Sequence, residues 1–177
     1  MQKIMLKNNL EVEIRKVNKE DAQNMIDFYN VVGGETDFLS FGKDEFKKTR
    51  EEYEAYIETV SIEENSIMLL ATIDSQIVSI ATVNSSQKER TKHVGTLGIV
   101  ISEAYTGLGL GKILMNELIE FAKQNSITKK ISLVTREDNV VAIELYKKLG
   151  FEVEGVMKKD NFIRGQYYGT IAMGLFI

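Results

Sequence analysis

Apolar residues change period several times along this chain, and each change marks an element. Val12 and Ile14 alternate with Glu13 and Arg15, so residues 10–17 read as a strand with one buried face. Asn18, with Asp21 three positions on, has the form of a helix N-cap, and the helix should run to about residue 30 before Gly33 and Gly34 break it. Asp44 is placed to cap a second helix over residues 45–60, rich in Glu and Lys. Residues 66–73 and 76–84 are β-rich and flank Asp74-Ser75, a two-residue hairpin turn without the glycine usual there. A strand over residues 92–102 leads through a glycine-rich loop to a third helix, about 109–124. Residues 128–135 are again β-rich; a helix crosses between this strand and the previous one, so the two should lie parallel. A fourth helix over about 139–149 and two closing strands, 151–159 and 166–176, complete the chain. Strands alternating with helices, without repeats or a linker, predict one mixed α/β domain over residues 1–177.

Composition narrows the function. A chain of 177 residues with 44% hydrophobic residues can bury a core as a single domain. Cysteine is absent, so there is no disulfide framework, and one His with no Cys is a poor zinc set; no metal is expected. A net charge of −4 argues against a general nucleic-acid binder. Residues 1–10 lack the apolar segment of a signal peptide, and no stretch of 18 apolar residues occurs, so a cytoplasmic protein without a membrane span is expected.

The chemistry concentrates at Tyr105-Thr106-Gly107-Leu108-Gly109-Leu110-Gly111-Lys112. A strand, a glycine loop and a helix in succession present bare backbone amides to an anion, and the helix N-terminus adds partial positive charge. Glycine permits positive φ and leaves no Cβ to block close approach. The spacing is not that of a P-loop: Thr106 and Ile113 stand where a Gly and a Ser or Thr are required. Nor is it the dinucleotide fingerprint, whose third glycine falls on Lys112 or Leu114. A second motif follows: Asn139, Ala142, Leu145, Tyr146, Gly150 and Phe151. Asn139, Ala142 and Tyr146 fall at i, i+3 and i+7, one helix face, with a small residue in the middle.

The two motifs together, in this order and separation, resemble the GCN5-related N-acetyltransferase (GNAT) family, with its Gln/Arg-x-x-Gly-x-Gly/Ala loop and Asn-x-x-Ala-x-x-Leu-Tyr-x-x-x-Gly-Phe helix. The likeness covers residues 90–177 well and the N-terminal half in outline. It implies a GNAT-like fold: a mostly antiparallel seven-stranded sheet with a splayed parallel pair at its centre, flanked by four helices. It implies acetyl-CoA as cosubstrate, bound within about residues 90–151, and an acceptor-binding part within about 1–65. By the same resemblance, Thr106, Gly107, Leu108, Gly109, Leu110, Gly111 and Lys112 would hold the pyrophosphate. Ile99, Val100 and Ile101 would pair with the pantetheine arm, beside Asn139, Ala142 and Tyr146. Tyr146 is then the candidate catalytic acid for the leaving thiolate, and a backbone N–H near Val100 or Ile101 would meet the oxyanion.

With no cysteine and no Gly-x-Ser-x-Gly elbow, transfer would be direct, in a ternary complex with an amine. The base is open: the strand before the loop holds no carboxylate, and His93 at its start is more often a surface residue. Within the family the chain is similar to the ribosomal-protein and polyamine acetyltransferase branch, with one departure from the family's loop and one from that branch. Thr106 replaces Gln or Arg, and Gly169 stands where an Asp is common. Glu35 and Asp37, set among Phe38 and Phe41, suit a cationic acceptor: a small-molecule amine or a protein N-terminus. The resemblance is compatible with a homodimer. Two other readings stand beside this one: a non-catalytic acyl-CoA-binding or sensing domain, and a nucleotide- or dinucleotide-binding domain using the same loop.

Overall fold

The computed structural model describes residues 2–177. In chain order the elements are β1 (Gln2–Met5), β2 (Glu11–Lys16), α1 (Ala22–Val32), α2 (Arg50–Ile62), β3 (Ile67–Ile73), β4 (Gln76–Ser85), β5 (Val94–Ile101), α3 (Leu110–Gln124), β6 (Lys130–Arg136), α4 (Val140–Lys148), β7 (Glu152–Ile163) and β8 (Gln166–Phe176). The strands form one eight-stranded sheet in the order β1-β2-β3-β4-β5-β6-β8-β7. Every adjacent pair is antiparallel except β5 and β6. Among the described residues no helix is long and apolar enough to cross a membrane.

The sheet has eight strands, not the expected seven. The extra strand, β1, has four residues and a single half-buried apolar side chain, Ile4, too short a run to register as alternation. It is held by its register against β2, from Gln2↔Ile14 to Met5↔Glu11. The turn between them closes with Leu6 N–H donating to the Leu10 carbonyl and Asn9 at φ 62°.

The second helix also differs. It begins at Arg50 and not near residue 45, and Asp44, at φ 57°, is a turn residue. Thr49 is the cap: its hydroxyl accepts from Glu52 N–H while the Glu52 carboxylate accepts from Thr49 N–H, a capping box. Residues 45–48 are kept out of the helix by tertiary contacts. Asn30 bonds both the N–H and the carbonyl of Phe46, whose ring stacks on Tyr29 at 4.6 Å. At Asn18 the expected cap is followed by a 3-10 turn over Lys19–Asp21 before α1, with Asp21 accepting from Asn18 N–H. The Asp74-Ser75 turn has both residues at positive φ, the type I′ form that two-residue hairpins favour.

Two apolar layers sandwich the sheet. Leu114, Met115 and Leu118 of α3 pack with Leu97, Ile131 and Leu133 on one face; α1 and α2 bury Met25, Val32 and Ile57 against Met68, Leu70 and Ile80 on the other. Alternation along β5 places Leu97, Ile99 and Ile101 on the α3 face and Val100 on the opposite one.

Candidate active site

The parallel pair β5 and β6 is joined only at Val94↔Lys130, Gly95↔Ile131 and Thr96↔Ser132. β5 nevertheless runs on to Ile101 and β6 to Arg136, so the two strands part for the rest of their length. On its other side β5 stays paired with β4 up to Ser79↔Ile101. Ser102 N–H donates to the Val78 carbonyl, and the Ser79 hydroxyl donates to the Val100 carbonyl. In an antiparallel ladder alternate residues face opposite neighbours. Val100 therefore turns its backbone to β4, while Ile99 and Ile101 turn theirs to the opening toward β6. Of the three strand residues expected to offer backbone to a ligand arm, two are so oriented and Val100 is not.

Immediately beyond β5 a 3-10 turn, Glu103–Tyr105, leads into the glycine loop. Gly107 at φ 73° and Gly109 at φ 94° hold the left-handed conformations that make glycine necessary there. Gly111 is a glycine for another reason: a Cβ there would lie 3.3 Å from Ile101 Cδ1 and 3.6 Å from Leu145 Cδ2, where α3 approaches both β5 and α4. The first bond of the helix is Ile113 N–H to the Gly109 carbonyl. Among the described residues, none of the backbone N–H groups from Gly107 to Lys112 has a protein acceptor. That leaves a run of free backbone donors at the N-terminus of a fifteen-residue helix. Thr106 does not join them, since its hydroxyl donates to the Glu103 carbonyl at 2.9 Å. Lys7, from the β1–β2 turn, does approach: its N–H donates to the Leu108 carbonyl, and its Cε lies 3.8 Å from the position of a Cβ on Gly109. It brings a cationic side chain to the loop from a distant part of the chain. Lys7 escaped the sequence reading because only the fold brings that turn to this loop.

Helix α4 ends in a Schellman motif. Phe151 N–H donates to the Tyr146 carbonyl, Gly150 N–H to the Lys147 carbonyl, and Gly150 takes φ 95°. The Tyr-x-x-x-Gly-Phe spacing is thus the helix stop itself, and it sets the Phe151 ring 6.0 Å from that of Tyr146. Tyr146 is only 8% exposed, and burial pushes its phenol above the ordinary value. Its hydroxyl has no protein partner among the described residues. No fully buried side-chain oxygen lacks a partner there, so the hydroxyl reaches accessible space. Asn139 does not cap α4 with its side chain; its Nδ2 donates to Thr135 Oγ1 at 3.3 Å, at the end of β6. Ala142 is half-buried against the same apolar layer as Ile99 and Ile101.

His93 lies at the wrong end. Its carbonyl accepts from Lys129 and Lys130 N–H where β5 begins, about 26 Å of extended chain from Ile101. It is not a base for chemistry at the opening.

The expected acceptor residues sit across the mouth of that opening. Both Glu35 oxygens are engaged, one by Ser102 Oγ at 3.2 Å and the other by Glu103 N–H at 2.7 Å. The Asp37 carboxylate pairs with Arg164 at 3.1 Å, and its carbonyl accepts from Arg136 Nη1 at 2.8 Å. Arg136, which the sequence reading did not single out, is 9% exposed. It bonds both oxygens of Asp138 and sits over the rings of Phe38 and Tyr168, 4.5 and 4.2 Å from their centroids. Its sequence signal was a cluster of charge, Arg136-Glu137-Asp138, at the end of an apolar strand. Beside it, Glu137 accepts from Gly169 N–H, and a Cβ on Gly169 would lie 2.8 Å from Glu137 Oε2. Glycine at 169 therefore gives its space to a carboxylate from the turn that follows β6.

The sheet of this mixed α/β domain thus opens between two central parallel strands, with a run of free backbone donors just beyond the end of one of them. Residues 35–151 match the acetyltransferase (GNAT) family, and the chain belongs to it. An acetyltransferase of the GNAT family from Streptococcus pneumoniae superposes with a TM-score of 0.90 at 34% identity, covering 94% of this chain and 99% of that one. The phosphinothricin acetyltransferase of Sinorhizobium meliloti, in complex with AcCoA, shares the fold at a TM-score of 0.79 and 18% identity, over 94% and 88% of the two chains. In sequence, the L-amino acid N-acetyltransferase AaaT of Escherichia coli is 36% identical over 105 residues, which is 59% of this chain and 65% of that protein. The spermidine N(1)-acetyltransferase of the same organism is 36% identical over 78 residues, 44% and 42% of the two. The matched stretches span less than two thirds of the length of these curated relatives.

Proposed function

We propose that this protein is an N-acetyltransferase that moves an acetyl group from acetyl-CoA directly to a primary amine within a ternary complex. The observation that carries the reading is the run of unpartnered N–H groups from Gly107 to Lys112, at the end of the strand whose Ile99 and Ile101 backbone faces the opening. These donors suit a diphosphate, Lys7 and Lys112 add charge where Thr106 does not, and the strand edge suits an amide-bearing arm. Acetyl-CoA supplies an activated thioester. The residues of this chain would supply the rest: the Ile101 N–H to the oxyanion, the Tyr146 hydroxyl as the proton donor to the departing thiolate, and Asn139 and Ala142 as the wall beside the arm. Tyr146 is a neutral phenol at physiological pH, the state an acid needs, and burial pushes it further from ionisation. β5 holds no carboxylate, so the amine proton would leave through water.

In this reading residues 90–151 form the acyl-CoA part and residues 1–65 contribute the acceptor part. The acceptor is a small-molecule amine or a protein N-terminus. The names of the relatives, which include amino acid, spermidine and protein N-alpha-acetyltransferases, support that range. We place the protein in the cytoplasm, with neither nucleic acid nor membrane as partner. A homodimer would cover the exposed Val153, Val156 and Phe162 of β7, and light scattering tests it.

The deciding experiment is a panel of amines incubated with protein and acetyl-CoA, read as free thiol, with acetyl-CoA titration alongside. Thiol release that depends on one amine class supports the proposal. Tight acetyl-CoA binding with no release from any amine would instead identify an acyl-CoA-sensing domain. Stabilisation by NAD and not by acetyl-CoA would refute both.

A further inference from the structure

The segment after α1 is fastened on both sides of the opening. On the β5 side Glu35 receives Ser102 Oγ and Glu103 N–H, just beyond the last residue of the strand. On the β6 side Arg136, the last residue of that strand, donates to the Asp37 carbonyl and carries the Phe38 ring on its guanidinium. The two anchors are two residues apart, so even fully extended the chain between them reaches only about 7 Å, and its turns at Glu35 and Phe38 make it shorter. The strands it bridges share no pair beyond Thr96↔Ser132. The anchors lie at their separated ends.

We propose that Arg136 is a positioning residue that fixes residues 35–38 as a strap over the acceptor entrance. The guanidinium meets this task in ways a lysine could not. Its fork spans both oxygens of Asp138, its third nitrogen reaches the Asp37 carbonyl, and its cation sits over the rings of both Phe38 and Tyr168. Arg136 therefore couples three elements: β6, the loop after α1, and the start of β8. Arg164 reinforces the outer edge through the Asp37 carboxylate, at a far more exposed site. Glu35 and Asp37 act on this view as tethers of the strap. The acceptor meets the strap and its aromatic edge before it meets the thioester, so a loosened strap changes acceptor binding and leaves coenzyme binding alone.

The inference rests on the acetyltransferase reading, and the test separates the two. Arg136→Lys keeps the charge and removes the fork and the flat stacking surface. Phe38→Ala acts on the exposed side of the contact and spares the fold should the lysine variant fail. Both variants are expected to raise the acceptor KM about tenfold or more with kcat changed less than about threefold. Acetyl-CoA Kd should stay within about twofold, and the Asp37–Leu39 amides should exchange with deuterium about tenfold faster. Unchanged acceptor KM and unchanged exchange in a folded variant would overturn the strap. So would an equal loss of acetyl-CoA affinity, which would show a merely structural residue. If the wild type acetylates no amine, the functional reading has failed on its own account, and the exchange rates still decide whether Arg136 holds the segment.

Discussion

Gly109→Val isolates the cradle from the rest of the fold. Gly109 is the residue before α3, at φ 94° and ψ −7°. A β-branched residue held there costs about 2–3 kcal/mol of backbone strain. For a chain of this length each kcal/mol lowers Tm by roughly 2–4 °C, so a folded variant melting about 4–12 °C lower is expected. The strain is relieved if φ returns toward the helical value near −60°, a swing of roughly 150° from 94°. That rotation turns the flanking peptide planes and takes the Gly109 and Leu110 N–H groups out of line. Two charge-assisted hydrogen bonds lost at about 1.5–3 kcal/mol each amount to roughly 3–6 kcal/mol, a factor of about 10²–10⁴ in acetyl-CoA Kd. Gly111→Ala is the matched control. Its Cβ points inward to Ile101 and Leu145, at 3.3 and 3.6 Å, and leaves the donors in place. Calorimetric titration of both, with thermal melts, checks the reasoning. A folded Gly109→Val protein that binds acetyl-CoA within about threefold of the wild type would refute the claim that these amides grip the anion.

Tyr146→Phe should lower turnover about tenfold or more with acetyl-CoA affinity nearly unchanged; an unaltered rate when chemistry limits turnover removes the hydroxyl from the mechanism. Lys7→Met should weaken acetyl-CoA about three- to tenfold and flatten the salt dependence of binding, and equal Kd values at low and high salt for both proteins would count against a phosphate contact. Burial raises the phenols of Tyr29, to about 12, and of Tyr53, Tyr56 and Tyr146 above the ordinary 10.0. The unfolded chain then loses these protons first. The urea midpoint should accordingly be level up to about pH 9 and fall as pH rises through 10 toward 12, with phenolate absorbance appearing together with unfolding. Phenolate that appears at pH 10 without unfolding would show that the rings are open to solvent.

Where local chemistry decides the outcome, the sequence was a sufficient guide. The Tyr-x-x-x-Gly-Phe spacing is a helix stop written in local terms, and Gly150 and Phe151 form it. The glycine loop was legible for the same reason: positive φ at Gly107 and Gly109 is a property of those residues. The I′ turn at Asp74-Ser75 formed even without glycine, because the two apolar strands pair as far as Ile73↔Gln76 and leave two residues for the turn. The failures are tertiary. Residues 45–48 have helical composition, yet Asn30 and Tyr29 hold Phe46 in a loop. β1 carries too little apolar pattern to declare itself and exists by pairing. Arg136 and Lys7 gain their roles from elements more than ninety residues away in the chain, a proximity that no spacing announces.

Three rungs between β5 and β6 are the only strand pairs that join β1–β5 to β6–β8, with α3 packed over both and residues 35–37 tied to each end. Mechanically the sheet is two plates on a narrow hinge. Any molecule that hydrogen-bonds along both lips supplies the rungs that the backbone lacks, so occupancy stiffens the whole architecture and not merely one patch of it. A seam of this kind is also where a thin chain could enter the middle of a sheet without displacing a strand.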